Sequence, residues 1–262
     1  MSNSDVTILC LPDSSAKEAV IISKDTNTRI LDASSAHRTD ANWTYGFAEL
    51  NSSQREIINN SKFVANPGCY ATGAIALLSP LIQSNLLTKE IPISINAVSG
   101  FSGGGSKMIE KYENGHSPSN FYPYGLALDH KHIPEIMKWS GMTKRPIFQP
   151  SVGNFKQGML VFIPSNMPLD SSKANSILRK NYEQSSFIKV IDLDGVSMSE
   201  INLNPEALNN TNNMELFVIN NDNLEQAILI SRLDNLGKGA SGAAVQNLNI
   251  MLDLDEGICV NL

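Results

Sequence analysis

Long apolar runs are missing from this 262-residue chain. None nears the roughly 20 residues that a membrane-spanning helix requires. Charge of one sign is not concentrated either. The net charge is −6 and no long basic run occurs, which argues against nucleic acid or an acidic membrane surface as a partner. Cysteine is scarce: Cys10, Cys69 and Cys259 are far apart and odd in number. That pattern fits a reducing cytoplasm better than a disulfide framework. There are four histidines, and the paired Cys/His spacing of zinc frameworks is lacking, so no metal site is predicted. The opening Met-Ser-Asn-Ser-Asp has neither a basic n-region nor an apolar h-region, so no secretory leader is expected. Internal repeats and low-complexity tracts are also missing.

What remains is an ordinary folded composition, with 42% hydrophobic and 18% charged residues, in a chain long enough for one long or two medium domains. Asp5 to Leu11 is nearly continuous and apolar, as expected of a parallel strand buried on both faces. Ser14 to Ser23 reads as a helix with a Ser15/Glu18 capping box. Arg29 to Ala33 is the next strand, completing a βαβ unit, and Phe63 to Ala65 follows in the same sheet. Beyond residue 69 the order changes. Strands are predicted at Ile93–Ser99, Gly158–Ile163, Lys189–Leu193, Leu216–Ile219 and Glu225–Leu233. Helices are predicted at Lys107–Glu113, from Pro134 to a stop at Gly141, at Ser172–Gln184 and at Ser241–Leu252. Strands outside βαβ order imply a second region with a mixed or antiparallel sheet.

The residue types that carry chemistry cluster in a few loops. In Asn66-Pro67-Gly68-Cys69-Tyr70-Ala71-Thr72-Gly73, Pro67 and Gly68 break a strand, and Ala74, Leu77, Leu78 and Leu81 then recur at helical spacing. Cys69 therefore stands at a helix N-terminus, where unpaired N–H groups and the helix dipole favour a thiolate. His130-Lys131-His132, if extended, would turn both rings to one side, and either could serve as acid–base partner. The turn Gly100–Gly105 offers backbone donors, with Ser102 inside it and Lys107 just beyond. Asp32-Ala33-Ser34-Ser35-Ala36-His37-Arg38 lies at the carboxyl end of a parallel strand, where ligands of open α/β sheets bind. Arg38 is suited to clamp a phosphate or carboxylate. Gly237-Lys238-Gly239-Ala240-Ser241-Gly242 matches G-x-G-x-x-G. Twenty residues follow it, too few for the rest of a dinucleotide-binding unit, so it is not the pyrophosphate loop.

Together these segments resemble the N-acetyl-gamma-glutamyl-phosphate reductases, in particular the shorter bacterial type. Leu11-Pro12-Asp13, Tyr45-Gly46-Phe47-Ala48-Glu49-Leu50, Val98 to Gly105, His130 to Ile136 and Asp234 to Gly242 carry the likeness beside the Cys69 and Arg38 segments. The resemblance implies an α/β fold of the glyceraldehyde-phosphate and aspartate-semialdehyde dehydrogenase type. A Rossmann domain would occupy residues 1–68 and an α+β catalytic and dimerisation domain 69–236, with residues 237–262 returning to the Rossmann domain. The family opens with a strand and a Gly-rich pyrophosphate loop that precede the first strand here, so the Rossmann domain is expected to be truncated at its start. The implied reaction is NADPH-dependent reduction of N-acetyl-glutamyl 5-phosphate to its 5-semialdehyde, in arginine biosynthesis. Cys69 is the implied nucleophile and His130 or His132 the acid–base group. Ser34, Ser35, Asn235, Gly237, Lys238 and Gly239 would lie by NADP(H), and Arg38, Ser102 and Lys107 by the acyl-phosphate substrate. A homo-oligomer is expected. Reduction of an aminoadipyl or aspartyl phosphate, a Cys/His hydrolase and an inactive remnant are the alternatives.

Overall fold

The computed structural model describes residues 3–115, 119–166 and 168–261. Two sheets organise them. Strands β1 (Val6–Leu9), β2 (Arg29–Asp32), β3 (Thr44–Tyr45) and β4 (Phe63–Ala65) form a parallel sheet in the order β1-β2-β4-β3. Helix α1 (Asp13–Ile22) joins β1 to β2, and α2 (Gln54–Asn60) joins β3 to β4. The second sheet has seven strands and is mixed. Its members are β5 (Ser94–Gly100), β6 (Phe121–Pro123), β7 (Ile147–Gly153), β8 (Met159–Ser165), β9 (Ile188–Val190), β10 (Met214–Asn221) and β11 (Gln226–Leu233). Their order is β6-β7-β5-β8-β11-β10-β9. Four further helices complete the fold: α4 (Ser106–Glu113), α5 (His132–Ser140), α6 (Ser171–Tyr182) and α7 (Gly242–Met251), with α3 (Cys69–Gln83) between the sheets in sequence.

Helix α3 is the axis of the core. Every residue from Tyr70 to Ile82 is buried, as a helix apolar on all sides must be. It packs on α5, α6 and β11. Pro80 lies inside it and cannot donate to the carbonyl of Ala76. The Tyr182 hydroxyl fills that vacancy, donating to Ala76 O at 2.8 Å. Helix α7 packs on α2 and β2, where Ala244, Ile250 and Met251 share a cluster with Leu31, Ile58 and Val64. Arg29 ties the same region together, donating to the carbonyls of Ile58, Asn59, Ser61 and Met251.

Several sequence expectations are corrected here. Strand β1 is not buried on both faces. It pairs with β2 alone, at an edge of the sheet, and Ile8 and Leu11 keep 39% and 42% of their surface exposed. The capping box does not form: α1 begins at Asp13 after Pro12 with no side-chain cap, and the Asp13 carboxylate accepts instead from the Ser35 N–H and hydroxyl. Strand β7 escapes a sequence reading because Pro150 interrupts it. The proline is tolerated because β6 pairs only with Ser151–Gly153. The final helix starts as a π-helical turn, Gly237–Ser241, before α7.

Candidate active site

Cys69 is the first residue of α3, directly after the extended Gly68. The Gly68 carbonyl receives the Thr72 N–H and hydroxyl, closing the first turn. A side chain at position 68 has no room. A β-carbon there would lie 2.2 Å from His132 Nε2 and 2.4 Å from Arg38 Nη1. Both groups thus converge on the α-carbon that precedes the cysteine.

Glu135, one turn along α5 from His132, holds this arrangement from below. One carboxylate oxygen accepts the Gly68 N–H and the Tyr45 hydroxyl, each at 2.8 Å. The other lies 3.4 Å from Arg38 Nη1. Arg38 is buried and donates from Nε to Asn66 O and from Nη2 to Ala33 O. Its donors are therefore turned to backbone carbonyls and a carboxylate rather than presented as an open anion clamp. Glu135 and Tyr45 have no role in the sequence reading, although both stand inside motifs that drew attention for their neighbours.

The two histidines differ. The expectation of an extended His-x-His fails, because Lys131 is in right-handed helical conformation and His132 opens α5. The rings still meet, with centroids 4.9 Å apart. His132 is buried against the edge of Tyr70, and its Nδ1 has no hydrogen-bond partner among the described residues. His130 packs against Phe148, Tyr124 and Tyr70, and its Nδ1 faces the His132 N–H at 3.3 Å. Burial, then the Arg38 charge, pushes His132 well below the usual imidazole range. Burial, then Lys131, pulls His130 down to about 4. Both rings are neutral at pH 7.

Burial pushes the Cys69 thiol up, against the opposing pull of Arg38 and of the Tyr70 N–H. The helix terminus alone thus does not yield a resting thiolate, and desolvation outweighs it. Cys10 and Cys259 are free and exposed.

The π-turn Gly237–Ser241 closes the other side. A β-carbon on Gly239 would come within 2.8 Å of Cys69 Cβ. Asn66 Nδ2 donates to Ala240 O, and Asn247 Nδ2 donates to Asn66 Oδ1. Asn235 donates to the Ser102 hydroxyl and accepts the Gly158 N–H. Lys238 turns inward, and its ammonium sits on the Glu49 carboxylate. Its side chain is therefore engaged by the protein, and what the turn presents toward Cys69 at this point is backbone. Ser34 is buried on the Asp32 carboxylate, while Ser35 is tied to Asp13. Lys107 is exposed on α4, and no described contact brings it to Cys69.

No helix among the described residues is long and apolar enough to cross a membrane. Residues 69–235 match the family described as semialdehyde dehydrogenase, dimerisation domain. The N-acetyl-gamma-glutamyl-phosphate reductase of Trichormus variabilis is 47% identical over 98% of this chain and 84% of its own length. The enzyme of the same name from Mesorhizobium japonicum is 45% identical over 97% and 85%. Among solved structures, aspartate semialdehyde dehydrogenase II of Vibrio cholerae superposes with a TM-score of 0.75 at 16% identity, covering 96% of this chain and 81% of that one. The aspartate semialdehyde dehydrogenase of Candida albicans, solved with NADP, gives 0.63 at 15% identity over 95% and 77%. At such identities the likeness is one of fold. With the relatives' identity extending over nearly its whole length, the chain belongs to the N-acetyl-gamma-glutamyl-phosphate reductase family.

Proposed function

We propose that this chain reduces N-acetyl-glutamyl 5-phosphate to the 5-semialdehyde with release of phosphate, through a thioester on Cys69. The observation that carries the reading is the convergence of His132 Nε2 and Arg38 Nη1 on Gly68, one residue before the thiol. His132 is neutral and able to take the thiol proton as Sγ attacks the acyl carbon. The C–O bond to phosphate then breaks, and the protonated His132 is placed to return that proton to the departing oxygen. Arg38 stabilises the thiolate by its charge, and Glu135 keeps both the Gly68 turn and Arg38 in place. Backbone N–H groups at the start of α3 suit the tetrahedral oxyanion. A Cys/His hydrolase commonly orients its histidine through an Asp or Asn side chain on the second ring nitrogen, and among the described residues His132 Nδ1 has no partner.

The residues present fit a nicotinamide cofactor. The carboxyl ends of β2 and β4 supply the Ser34–Ser35 loop and Asn66, as the binding crevice of an open parallel sheet requires. Gly239, lacking a side chain, lets the π-turn approach Cys69 as a close wall. NADPH, when bound there, supplies the hydride that the thioester accepts. Ser34, Ser35 and Asn235 would line its site, with the backbone of Gly237, Lys238 and Gly239. Once reduction is complete, C–S cleavage releases the aldehyde and returns Sγ as thiolate. Ser102 and Lys107 remain the candidates for the substrate's polar groups. The packing of α7 on β2 and α2 supports a nucleotide-binding unit of 1–68 with 237–262, around a catalytic unit of 69–236. The match to a dimerisation domain supports a homo-oligomer built through that unit.

The test is Cys69→Ser. It should keep the fold by circular dichroism and lose both NADPH oxidation and phosphate release from the acyl phosphate. Retained turnover would remove Cys69 as nucleophile.

A further inference from the structure

Lys238 is among the largest fully buried side chains, 1% exposed. Its ammonium donates to both oxygens of Glu49, at 2.8 and 2.9 Å, and to Gln246 Oε1 at 2.7 Å. Gln246 in turn donates to Glu49 and to Glu256, and Arg55 clasps Glu256. The rings of Phe187 and Phe47 flank the ammonium at 5.1 and 5.8 Å. All of its donors are used by the protein.

Its position in the chain gives this network its meaning. Lys238 is the second residue of the π-turn, and the next residue, Gly239, presses on Cys69. The turn is closed by wide loops, Gly239 N–H to Asp234 O and Ser241 N–H to Leu236 O. Such turns are rare and occur frequently at functional sites. A buried ion pair contributes little net stability, whereas its directional bonds define one geometry. The charges that act on Cys69 are those of Arg38 and Glu135, so Lys238 reaches the thiol through the backbone it anchors.

We propose that the Lys238–Glu49 pair is a positioning device: it seats the π-turn against Cys69 and so sets how open the thiol is to a reactant. The proposal rests on the reading of Cys69 as nucleophile for its consequence, while the seating itself is measurable without turnover.

The experiment uses the chain with Cys10 and Cys259 replaced by serine, so that Cys69 is the sole thiol. Its alkylation by iodoacetamide is followed by mass spectrometry, with no cofactor or substrate present. Two variants are compared with this parent. The double variant Lys238→Met/Glu49→Gln removes both charges together, and Glu49→Asp keeps them but shortens the tether by one methylene. Both should fold cooperatively and alkylate Cys69 several-fold faster. Leu178→Ala, which opens a cavity in the core around α6, should lower the melting temperature and leave the alkylation rate at the parental value. If the double variant does not fold, Glu49→Asp decides. Parental rates in the folded variants, or an equal acceleration in Leu178→Ala, would overturn the proposal. Neither result depends on reductase activity, so failure here leaves the assignment of the reaction standing, and the reverse also holds.

Discussion

Glu135 and Glu49 are both buried carboxylates that act on the Cys69 turn, yet their partners differ in kind. Glu135 is held by neutral donors, the Gly68 N–H and the Tyr45 hydroxyl, with its cation Arg38 at the longer distance of 3.4 Å. Glu49 carries an ammonium on both oxygens at 2.8 and 2.9 Å. In the first case the arginine's charge is left partly free to act on the thiol and on His132. In the second the charges cancel where they stand, and what is left is geometry. In the proposed mechanism one region serves electrostatics and proton transfer, and the other serves placement.

The sharpest way to break this contrast is on the Glu135 side. His132→Asn should lower turnover of the acyl phosphate by about 10²–10⁴-fold with stability little changed, read by steady-state kinetics beside a melting curve. Near-normal turnover would move the chemistry off this face. On the Glu49 side the expected loss is stability. Lys238→Met strands a buried carboxylate and should cost about 3–5 kcal/mol, measured by urea denaturation at pH 7. Burial alone would raise the Glu49 carboxyl, but the Lys238 charge and the hydrogen bonds from Lys238 and Gln246 hold it below the usual range. The pair's contribution is thus present above the ordinary glutamate pKa and is lost as pH falls through the lowered one. The gap between parent and Lys238→Met should narrow at pH 4. A gap independent of pH would mean that the pair is not ionised as described. Lys107 lies outside both regions, and Lys107→Ala should change stability by no more than about 0.5 kcal/mol. A raised KM for the acyl phosphate at unchanged kcat would place Lys107 on the substrate.

Much of the frame was legible from local pattern. The strand–turn–helix around Cys69 is written in Pro67, Gly68 and the apolar period that follows, and the stop of α5 at Gly141 (φ 83°) is visible in the sequence. Other elements were hidden for identifiable reasons. Two-residue β3 is too short to show a period, and Pro150 disguises β7. The helical Lys131 defeats an extended His-x-His, and yet the rings meet because the turn at Lys131 folds His130 back beside the first residue of α5, both edging onto Tyr70. At the site, Cys69 and the histidines could be named from chemistry alone. Glu135 and Glu49 could not, because a glutamate in a motif says nothing about which distant backbone it will face.

By itself the amino-acid order determined where Cys69 stands, what breaks the chain before it and which polar residues are rare enough to notice. These are local matters, decided by φ, ψ and periodicity within a few residues. Tertiary structure alone decided that the thiol rests protonated and that Arg38 bonds to backbone carbonyls. It also turned the Lys238 ammonium inward onto Glu49 and Gln246. Each of those outcomes depends on desolvation or on partners such as Asn66 for Arg38 and Glu49 for Lys238, distant in the chain, which packing brings within 3 Å or so of one another.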